Sequence, residues 1–553
     1  MIYRNRIFLF LWMTLLGSQF IFQQSCKKSV TTVEPVYLTV TLPRSVFHNE
    51  TFYLLNYRER SIELDFNLPL DSTTITGNIL FSHKGGPLEP IYTTISSGRK
   101  VIIALRDAFQ LHAGWQYFIT INTGLRSTSG ISLSTNTTIE VRTSAIQLGA
   151  DNDTTTRNSI VCISDIHMGD QRSMTLGYGW FNKNKAALES LLDLILSSGQ
   201  VRQLVILGDL FDEWVVPYRL SPFDSLAGVA NSREYFLSVA NAPVNSSIVN
   251  KLRAIASSGK MELNYVPGNH DMLLTREILQ EIIPGVIWNG DSTGLGHYSP
   301  VDEIIMEHGH RFDFFNCPQP LTNQGHHLPP GYFISRLDAE GLMESSNHYL
   351  KKTKSENGDL EFLAAWTASY EYLKIHYGLT VAEDSANIRM GGIDQYSVPF
   401  SFNGVRDMYA GNIEDAWSFT QIRNGVPVPM PVMMAILDGT DDLSFAVSYQ
   451  YMESQSPKKY KMVAFGHTHN PKLKVYPAGK NYTAIYANTG SWVNAELSSK
   501  PVRTFLLIKP AEWTGSDLDV VSLFQYNLDS GSGSQGSGFI PVLISEESIC
   551  KSK

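Results

Sequence analysis

Ser164-Asp165-Ile166-His167-Met168-Gly169-Asp170 follows directly on the apolar run Ile160-Val161-Cys162-Ile163. An acid and an imidazole two residues apart, at the point where a buried strand should end, are placed as metal donors. Four later segments repeat these residue types beside glycine: Gly208-Asp209-Leu210-Phe211-Asp212, Gly268-Asn269-His270-Asp271, Glu307-His308-Gly309-His310 and Gly466-His467-Thr468-His469. Asp165, Asp209 and Asn269 each stand within a few residues of an apolar run. The pattern predicts a chain organised to bring five loops together around two metal ions.

The flanking periodicity supplies the frame. Ser159–Ile163, Leu204–Leu207 and Leu263–Val266 are strand-like. Asn182–Ser198, with Leu188, Leu191, Leu192 and Ile195, and Ser246–Ser257, with Ile248, Leu252 and Ile255, have helical spacing. The result is a βαβαβ order with a ligand-bearing loop after each strand, and in α/β sheets sites lie outside the carboxyl ends of the strands. Residues 311–460 are less regular and read as a cap-like insertion, with a helical, aromatic-rich stretch at Leu360–Ile375 and a Pro/Met-rich one at Val426–Met434. Its Met and aromatic side chains serve packing or ligand contact. Met462–Phe465 and Tyr482–Tyr486 resume the strands, Gly490-Ser491-Trp492 ends the last site loop, and Val520–Tyr526 is a final strand in a C-terminal region, 496–553, whose segment 529–538 is Ser/Gly-rich and flexible.

Upstream of the polar linker 149–158 the helical period gives way to alternation. Ile62, Leu64 and Phe66, then Tyr117, Ile119 and Ile121, then Ile139 and Val141 each mark one face of a strand, with turn residues between them. Residues 35–146 are therefore expected to be a small all-β sandwich, serving as a spacer or as a binding module. Residues 1–25 have the layout of an export signal: Arg4 and Arg6, the apolar segment Ile7–Leu16, then small and polar residues up to Ser25-Cys26. That apolar segment is shorter than the roughly 20 residues that span a bilayer.

The 553 residues exceed what one core organises, so two or more domains are expected. A hydrophobic content of 43% with 18% charged residues is ordinary globular composition. The net charge of −9 offers no basic field to nucleic acid, and phosphate recognition must therefore be local. The four cysteines, at 26, 162, 317 and 550, match neither a zinc ribbon nor a disulfide framework. Cys162, inside the first strand, reads as a buried thiol.

As a donor set the loops suit hydrolysis. A dinuclear site needs a carboxylate that bridges two cations, roughly 3.5–4 Å apart, with imidazole and neutral oxygen donors completing each shell. Asp209, beside Gly208, is the natural bridge. Asp165 with His167, and His467 with His469, would each reach one side of an extended backbone. Asn269 adds a carbonyl oxygen, and His308 completes the set, with His310 competing for the same role. Imidazole, carboxylate and amide together suit Mn, Zn or Fe and fit calcium poorly. His297, His326, His327 and His348 have no comparable setting.

On these motifs, residues 159–495 resemble the calcineurin-like metallophosphoesterases. The resemblance implies an α/β fold of two sheets in a β-sandwich flanked by helices, and a centre of two divalent metal ions. It implies that Asp165, His167, Asp209 and His469 hold one metal and that Asp209, Asn269, His308 and His467 hold the other. It implies His270 as the catalytic acid and Asp271 as its orienting partner, with hydroxide generated at the metal pair attacking the phosphorus in line. The three loops from Ser164, Gly208 and Gly268 look closest to the UDP-diacylglucosamine pyrophosphatase branch. Residues 35–146 resemble bacterial immunoglobulin-like modules, on Leu64-Asp65-Phe66-Asn67, Leu111 to Tyr117 and Val141-Arg142-Thr143-Ser144. Ser25-Cys26-Lys27-Lys28 resembles a bacterial lipoprotein processing site, which implies a lipid on Cys26, export, and a place in the cell envelope, at the outer membrane; simple secretion is the alternative. The expected substrate is a small-molecule or lipid-linked phosphoester, with a diester or pyrophosphate favoured. The competing readings are an exported nucleotidase or phosphomonoesterase, and a non-catalytic binding lipoprotein with a structural metal site.

Overall fold

The computed structural model describes residues 37–41, 46–48, 52–55, 61–83, 86–106, 111, 116–143, 157–225, 228–319, 321–323, 325–345, 366–367, 369–371, 383–410, 412–453, 460–477, 483–515, 517–528 and 539–550. The export-signal and Cys26 expectations, and the Ser/Gly-rich stretch 529–538, lie outside them.

Among the described residues nine strands come first: β1 (Val40–Thr41), β2 (Val46–His48), β3 (Phe52–Leu55), β4 (Ser61–Phe66), β5 (Ile79–His83), β6 (Ile91–Ser97), β7 (Lys100–Leu105), β8 (Gln116–Ile121) and β9 (Thr137–Thr143). They form two sheets, β1-β4-β7-β6 and β2-β3-β9-β8-β5. The expected alternation is physical: Ile62, Leu64 and Phe66 on β4, and Tyr117, Ile119 and Ile121 on β8, point into one shared core. This part is a two-sheet all-β body.

The larger body opens with β10 (Ser159–Ile163), β11 (Val201–Leu207), β12 (Glu262–Val266) and β13 (Ile287–Trp288), which pair in parallel. Helices α1 (Lys185–Ser197), α2 (Ser232–Asn241), α3 (Ser246–Ser257) and α4 (Arg276–Ile282) lie among them. β10 and β11 are apolar at nearly every position because both faces are buried. Val161, Ile163, Leu204 and Ile206 pack toward the helices. Ile160, Cys162, Val205 and Leu207 pack toward a second sheet. That sheet runs β14 (His297–Tyr298), β15 (Ile304–Glu307), β16 (Met462–Phe465), β18 (Thr483–Asn488) and β17 (Lys472–Pro477) in order. Ile304, Met306, Met462, Ala464 and Ile485 supply its half of the inner core.

The first sheet does not stop at residue 495, where the sequence reading closed the domain. β19 (Thr504–Lys509) pairs antiparallel with β10, followed outward by β20 (Leu518–Leu528) and β21 (Phe539–Cys550). The C-terminal region thus completes the site's own sheet, because β10 would otherwise leave a buried row of backbone donors and acceptors unpaired. Cys162 and Cys317 are buried and free, and Cys550 is exposed and free.

The insertion contributes α5 (Pro330–Ser345), α6 (Phe402–Ala410), α7 (Ile413–Arg423) and α8 (Val432–Asp441). Its aromatics and methionines pack: Tyr332, Trp366, Trp417 and Met430 are buried in the core that also receives Val161 and Leu204. Arg336 of α5 is fully buried and ties the insertion down, its guanidinium donating to the carbonyls of Val216 (2.5 Å), Leu220 (2.6 Å) and Arg389 (3.1 Å).

Candidate metal centre

The ligand loops meet at the carboxyl ends of β10, β11, β12, β15 and β16. The extended geometry expected for the two Asp/His and His/His pairs is not what the backbone adopts. Asp165, His167, Asp209, His467 and His469 all have positive φ, between 52° and 68°. Each loop curls back in the left-handed region, which Asp and His enter more readily than bulkier residues. Such conformations cost about 1–3 kcal/mol apiece and persist where the surroundings over-determine them. Gly208 must be glycine: its φ is 79°, and a Cβ there would lie 2.6 Å from Gly268 Cα and would strike His308 Nδ1.

The donor atoms converge. Asp165, His167 and His469 form one group whose ligand atoms lie within 4.8 Å of one another, and Asp165, Asp209 and His308 form another. Asp209 Oδ2 lies 3.6 Å from His167 Nε2 and 3.3 Å from His308 Nε2, so this carboxylate stands between the two halves. His469 Nε2 is 3.2 Å from Asp165 Oδ1. Asn269 Oδ1 lies 2.9 Å from His308 Nε2 and 3.0 Å from His467 Nδ1. Buried carboxylates and imidazole nitrogens facing one another across a common point fit a pair of divalent cations. Second partners fix the free imidazole edges, as metal-binding histidines require. His308 Nδ1–H donates to the Leu207 carbonyl at 2.7 Å, which leaves Nε2 for a metal.

The local charges support the same reading. Burial disfavours ionised Asp209, yet His308, His270 and His167 outweigh that and hold its carboxyl well below the usual range. Burial likewise opposes charge on His308, but Asp209 and Asp165 overcome it and raise its pKa to about 9. The field that draws a proton to His308 is the one that would hold a cation.

His310 is also buried, its ring centroid 5.3 Å from that of His308. Neither of its ring nitrogens has a hydrogen-bond partner among the described residues. Of the two histidines, His308 is the one that faces Asp209 and Asn269.

One expected role needs correction. Asp271 does not orient the His270 ring. Its carboxylate accepts from Gly268 N (2.8 Å), Leu210 N (2.9 Å) and the Tyr265 hydroxyl, so it pins the turn itself. Burial and the nearby Asp209 raise its pKa to about 6. The partner of the ring is Asp212, whose Oδ1 lies 3.1 Å from His270 Nδ1. Asp212 Oδ2 lies 2.9 Å from His167 Nδ1, so one carboxylate orients both the His270 and the His167 rings. It accepts Trp214 N (2.9 Å) and Val215 N (2.8 Å) as well. Burial opposes its ionisation, but His270 and His167 hold it ionised. For His270 burial opposes protonation, while Asp212 and Asp209 more than compensate and raise its pKa.

Further residues escaped the sequence reading. Trp214 stacks on His270 at 4.7 Å and 26°, and Trp180 stands 4.9 Å from His167 and 5.5 Å from His270. The only sequence hint was Asp212-Glu213-Trp214 following the Gly208-Asp209 pair; nothing marked Trp180. Asp313, at the start of the insertion, lies with Oδ2 3.0 Å from His467 Nε2. A Cβ on Gly439 of α8 would lie 2.7 Å from its carboxyl carbon, so the insertion packs directly on this group. Asp313→Ala is expected to weaken one of two metals by about 10–100-fold. Calorimetric titration of the metal-stripped protein would show this as the selective loss of the weaker isotherm.

Glu213 carries a separate prediction. It is fully buried, and neither carboxylate oxygen has a hydrogen-bond partner among the described residues. Burial, opposed by Arg336, raises its pKa from 4.5 to about 8. The folded state therefore holds a proton that the unfolded chain releases, and stability falls as pH rises through that window, by about 1.4 kcal/mol per unit. Glu213→Gln removes the dependence. Its stability relative to the parent should rise on the order of 3 kcal/mol between pH 5 and pH 8, measurable by denaturant unfolding at both pH values.

Residues 159–398 match the family model described as calcineurin-like phosphoesterase. No curated protein matches the chain. Among solved structures, the N-terminal part of the bacterial S-layer protein SbsC aligns at 20% identity over 20% of this chain and 26% of that one, with a TM-score of 0.14. This chain thus spans about a quarter of that chain's length. CopC from Methylosinus trichosporium OB3b aligns at 12% identity over 17% of this chain and 84% of its own, with a TM-score of 0.14. The purple acid phosphatase PPD1 from yellow lupin (Lupinus luteus) seeds aligns at 10% identity over 85% of this chain and 71% of its own, with a TM-score of 0.25. The family match over residues 159–398 and the converging carboxylates and imidazoles establish that the chain carries a calcineurin-like metallophosphoesterase domain.

Proposed function

We propose that the protein hydrolyses phosphoesters with a pair of divalent metal ions, acts on a phosphodiester or pyrophosphate, and works at the bacterial cell envelope. The observation that carries the reaction is the placement of Asp209 between His167 and His308, beside a His270 whose ring is already oriented by Asp212. An imidazole held by its own carboxylate at the edge of the donor set supports the enzymatic reading over a binding lipoprotein with a structural metal site. The diester preference and the envelope setting rest on the sequence alone: the three loops that resemble the UDP-diacylglucosamine pyrophosphatase branch, and the Ser25-Cys26 segment. No helix among the described residues is long and apolar enough to cross a membrane.

Asp165, His167, Asp209 and His469 would hold one metal, and Asp209, Asn269, His308 and His467 the other. Bound there, two divalent cations neutralise phosphate charge and lower the pKa of water toward neutrality. The chain's own contribution is positional. His270 donates Nδ1–H to Asp212, which directs Nε2 toward the reacting group and stabilises the charged ring. Trp214 against the ring face prevents it from swinging away. Protonated Nε2 then gives its proton to the leaving oxygen, and the backbone N–H of His270 holds Asp209 Oδ1 at 2.9 Å so that acid and bridging carboxylate keep a fixed relation.

The test is metal removal, readdition of Mn or Zn separately, and assay of bis-p-nitrophenyl phosphate beside p-nitrophenyl phosphate. Metal-dependent turnover that favours the diester is expected. A preference for the monoester would instead support the nucleotidase or monoesterase reading. Absence of turnover from a protein that binds both metals would overturn the enzymatic reading.

A further inference from the structure

Two indoles flank His270, and they differ. Trp214 is fully buried and stacks on the ring from within. Trp180 is only half-buried. Its ring lies 5.5 Å from that of His270, 4.9 Å from that of His167 and 6.1 Å from that of His469. It therefore stands at the accessible edge of the centre, between the acid and two imidazoles of the donor set.

The surrounding backbone fixes it there. The Trp180 carbonyl accepts from Asn494 N at 2.5 Å, and Asn494 Oδ1 accepts from Lys183 N at 2.8 Å. Asn184 Nδ2 donates to the carbonyls of Trp492 (2.9 Å) and Val493 (2.6 Å). Trp492 N in turn donates to the Asp165 carbonyl at 2.9 Å. The segment 492–494, just beyond β18, thus grips a ligand loop at one end and the Trp180 loop at the other. The indole is held in register with Asp165 although it coordinates nothing.

This wall carries no charge. The cations of its loop are paired away from it: Arg172 donates to Asp170 (2.6 Å) and to the Ser221 carbonyl (3.0 Å), Lys183 pairs with Glu496, and Lys185 pairs with Glu189 at 2.8 Å. An apolar ring offers contact to carbon and nothing that compensates a charged oxygen. A phosphoester with two non-bridging oxygens turned to the cations and its leaving oxygen turned to His270 has one oxygen left for the rim. In a diester that oxygen is uncharged and carries a carbon group. In a monoester it is a charged terminal oxygen, which needs a cation or several donors.

We propose that Trp180 is the specificity-determining residue of the centre: it lines the place of the second ester group and so selects diesters over monoesters. This rests on the phosphoester reading above and names the residue behind its diester preference.

The test compares the whole protein with Trp180→Ala, Trp180→Phe and Trp180→Arg, each first shown by calorimetry to bind two metal ions. Substrates are bis-p-nitrophenyl phosphate and p-nitrophenyl phosphate, which share a leaving group, so that the demand on His270 cancels. The ratio of kcat/KM for diester to monoester should fall roughly tenfold or more in Trp180→Ala, recover most of its parent value in Trp180→Phe, and fall furthest in Trp180→Arg, which supplies the missing cation. A parallel titration of the metal-loaded proteins with diphenyl phosphate and phenyl phosphate should show the same order in affinity. A diester-preferring parent whose ratio is unchanged in Trp180→Ala would overturn the role of Trp180 and leave the diester reading standing. A parent that prefers the monoester would overturn both. If the parent cleaves neither ester, the hydrolase reading fails, while the titration still decides: equal loss of both ligands in Trp180→Ala, or loss of neither, would overturn the assignment.

Discussion

Asp209→Asn is expected to lower kcat/KM by roughly 10³-fold, equivalent to about 4 kcal/mol of transition-state stabilisation. The substitution changes one atom. Asn keeps an oxygen for the His270 backbone N–H, which now donates to Asp209 Oδ1 at 2.9 Å, so the turn retains its hydrogen bond. What disappears is the negative charge between His167 and His308, at 3.6 Å and 3.3 Å. Without it His308 also loses the main group that draws positive charge toward it. The fold should survive, as circular dichroism would show, while the rise in melting temperature on adding metal should shrink, because ligand stabilisation scales with the logarithm of affinity. An equal melting-temperature response in parent and variant would show that Asp209 is not a shared ligand.

The second large effect concerns the acid. His270→Ala should cost about 10²–10⁴-fold in kcat for an ester with an alkyl leaving group. The loss should be much smaller for a p-nitrophenyl ester, whose leaving oxygen departs without a proton. Asp212→Asn should reproduce that dependence on the leaving group and add a second defect, because Asp212 also holds His167 at 2.9 Å. Orienting partners of metal ligands typically contribute 10–100-fold in affinity. Asp271→Asn should behave differently. Its contacts are to Gly268 N, Leu210 N and the Tyr265 hydroxyl, so it should lower stability without changing the leaving-group slope. If Asp271→Asn and not Asp212→Asn altered that slope, the assignment of the orienting carboxylate would be wrong.

The contrast between these two acids shows what the sequence makes legible. The five ligand loops are readable because buried strands must be apolar and the residues that follow them need not be, so Asp165, Asp209 and Asn269 stand out against their strands. The helices Lys185–Ser197 and Ser246–Ser257 show their buried faces at helical spacing for the same reason. The partner of His270 is not readable that way. Asp271 is its neighbour in sequence, but neighbours in a tight turn point apart, and the ring meets a residue 58 positions away. Asp313 and Trp180 reach the centre through tertiary packing, without a local pattern. The place of β19 beside β10 likewise depends on a pairing more than 300 residues distant in sequence. The left-handed backbone at Asp165, His167, Asp209, His467 and His469 is a property of the assembled loops, and sequence spacing alone favoured extended strands there.

The most direct test is a metal titration of the stripped protein, followed by calorimetry with Mn or Zn and by mass-spectrometric metal analysis. The parent should bind two metal ions per chain. His469→Ala should selectively weaken one, His308→Ala the other, and Asp209→Asn both. One metal per chain, or an Asp209→Asn isotherm that matches the parent, would contradict a dinuclear centre bridged by Asp209.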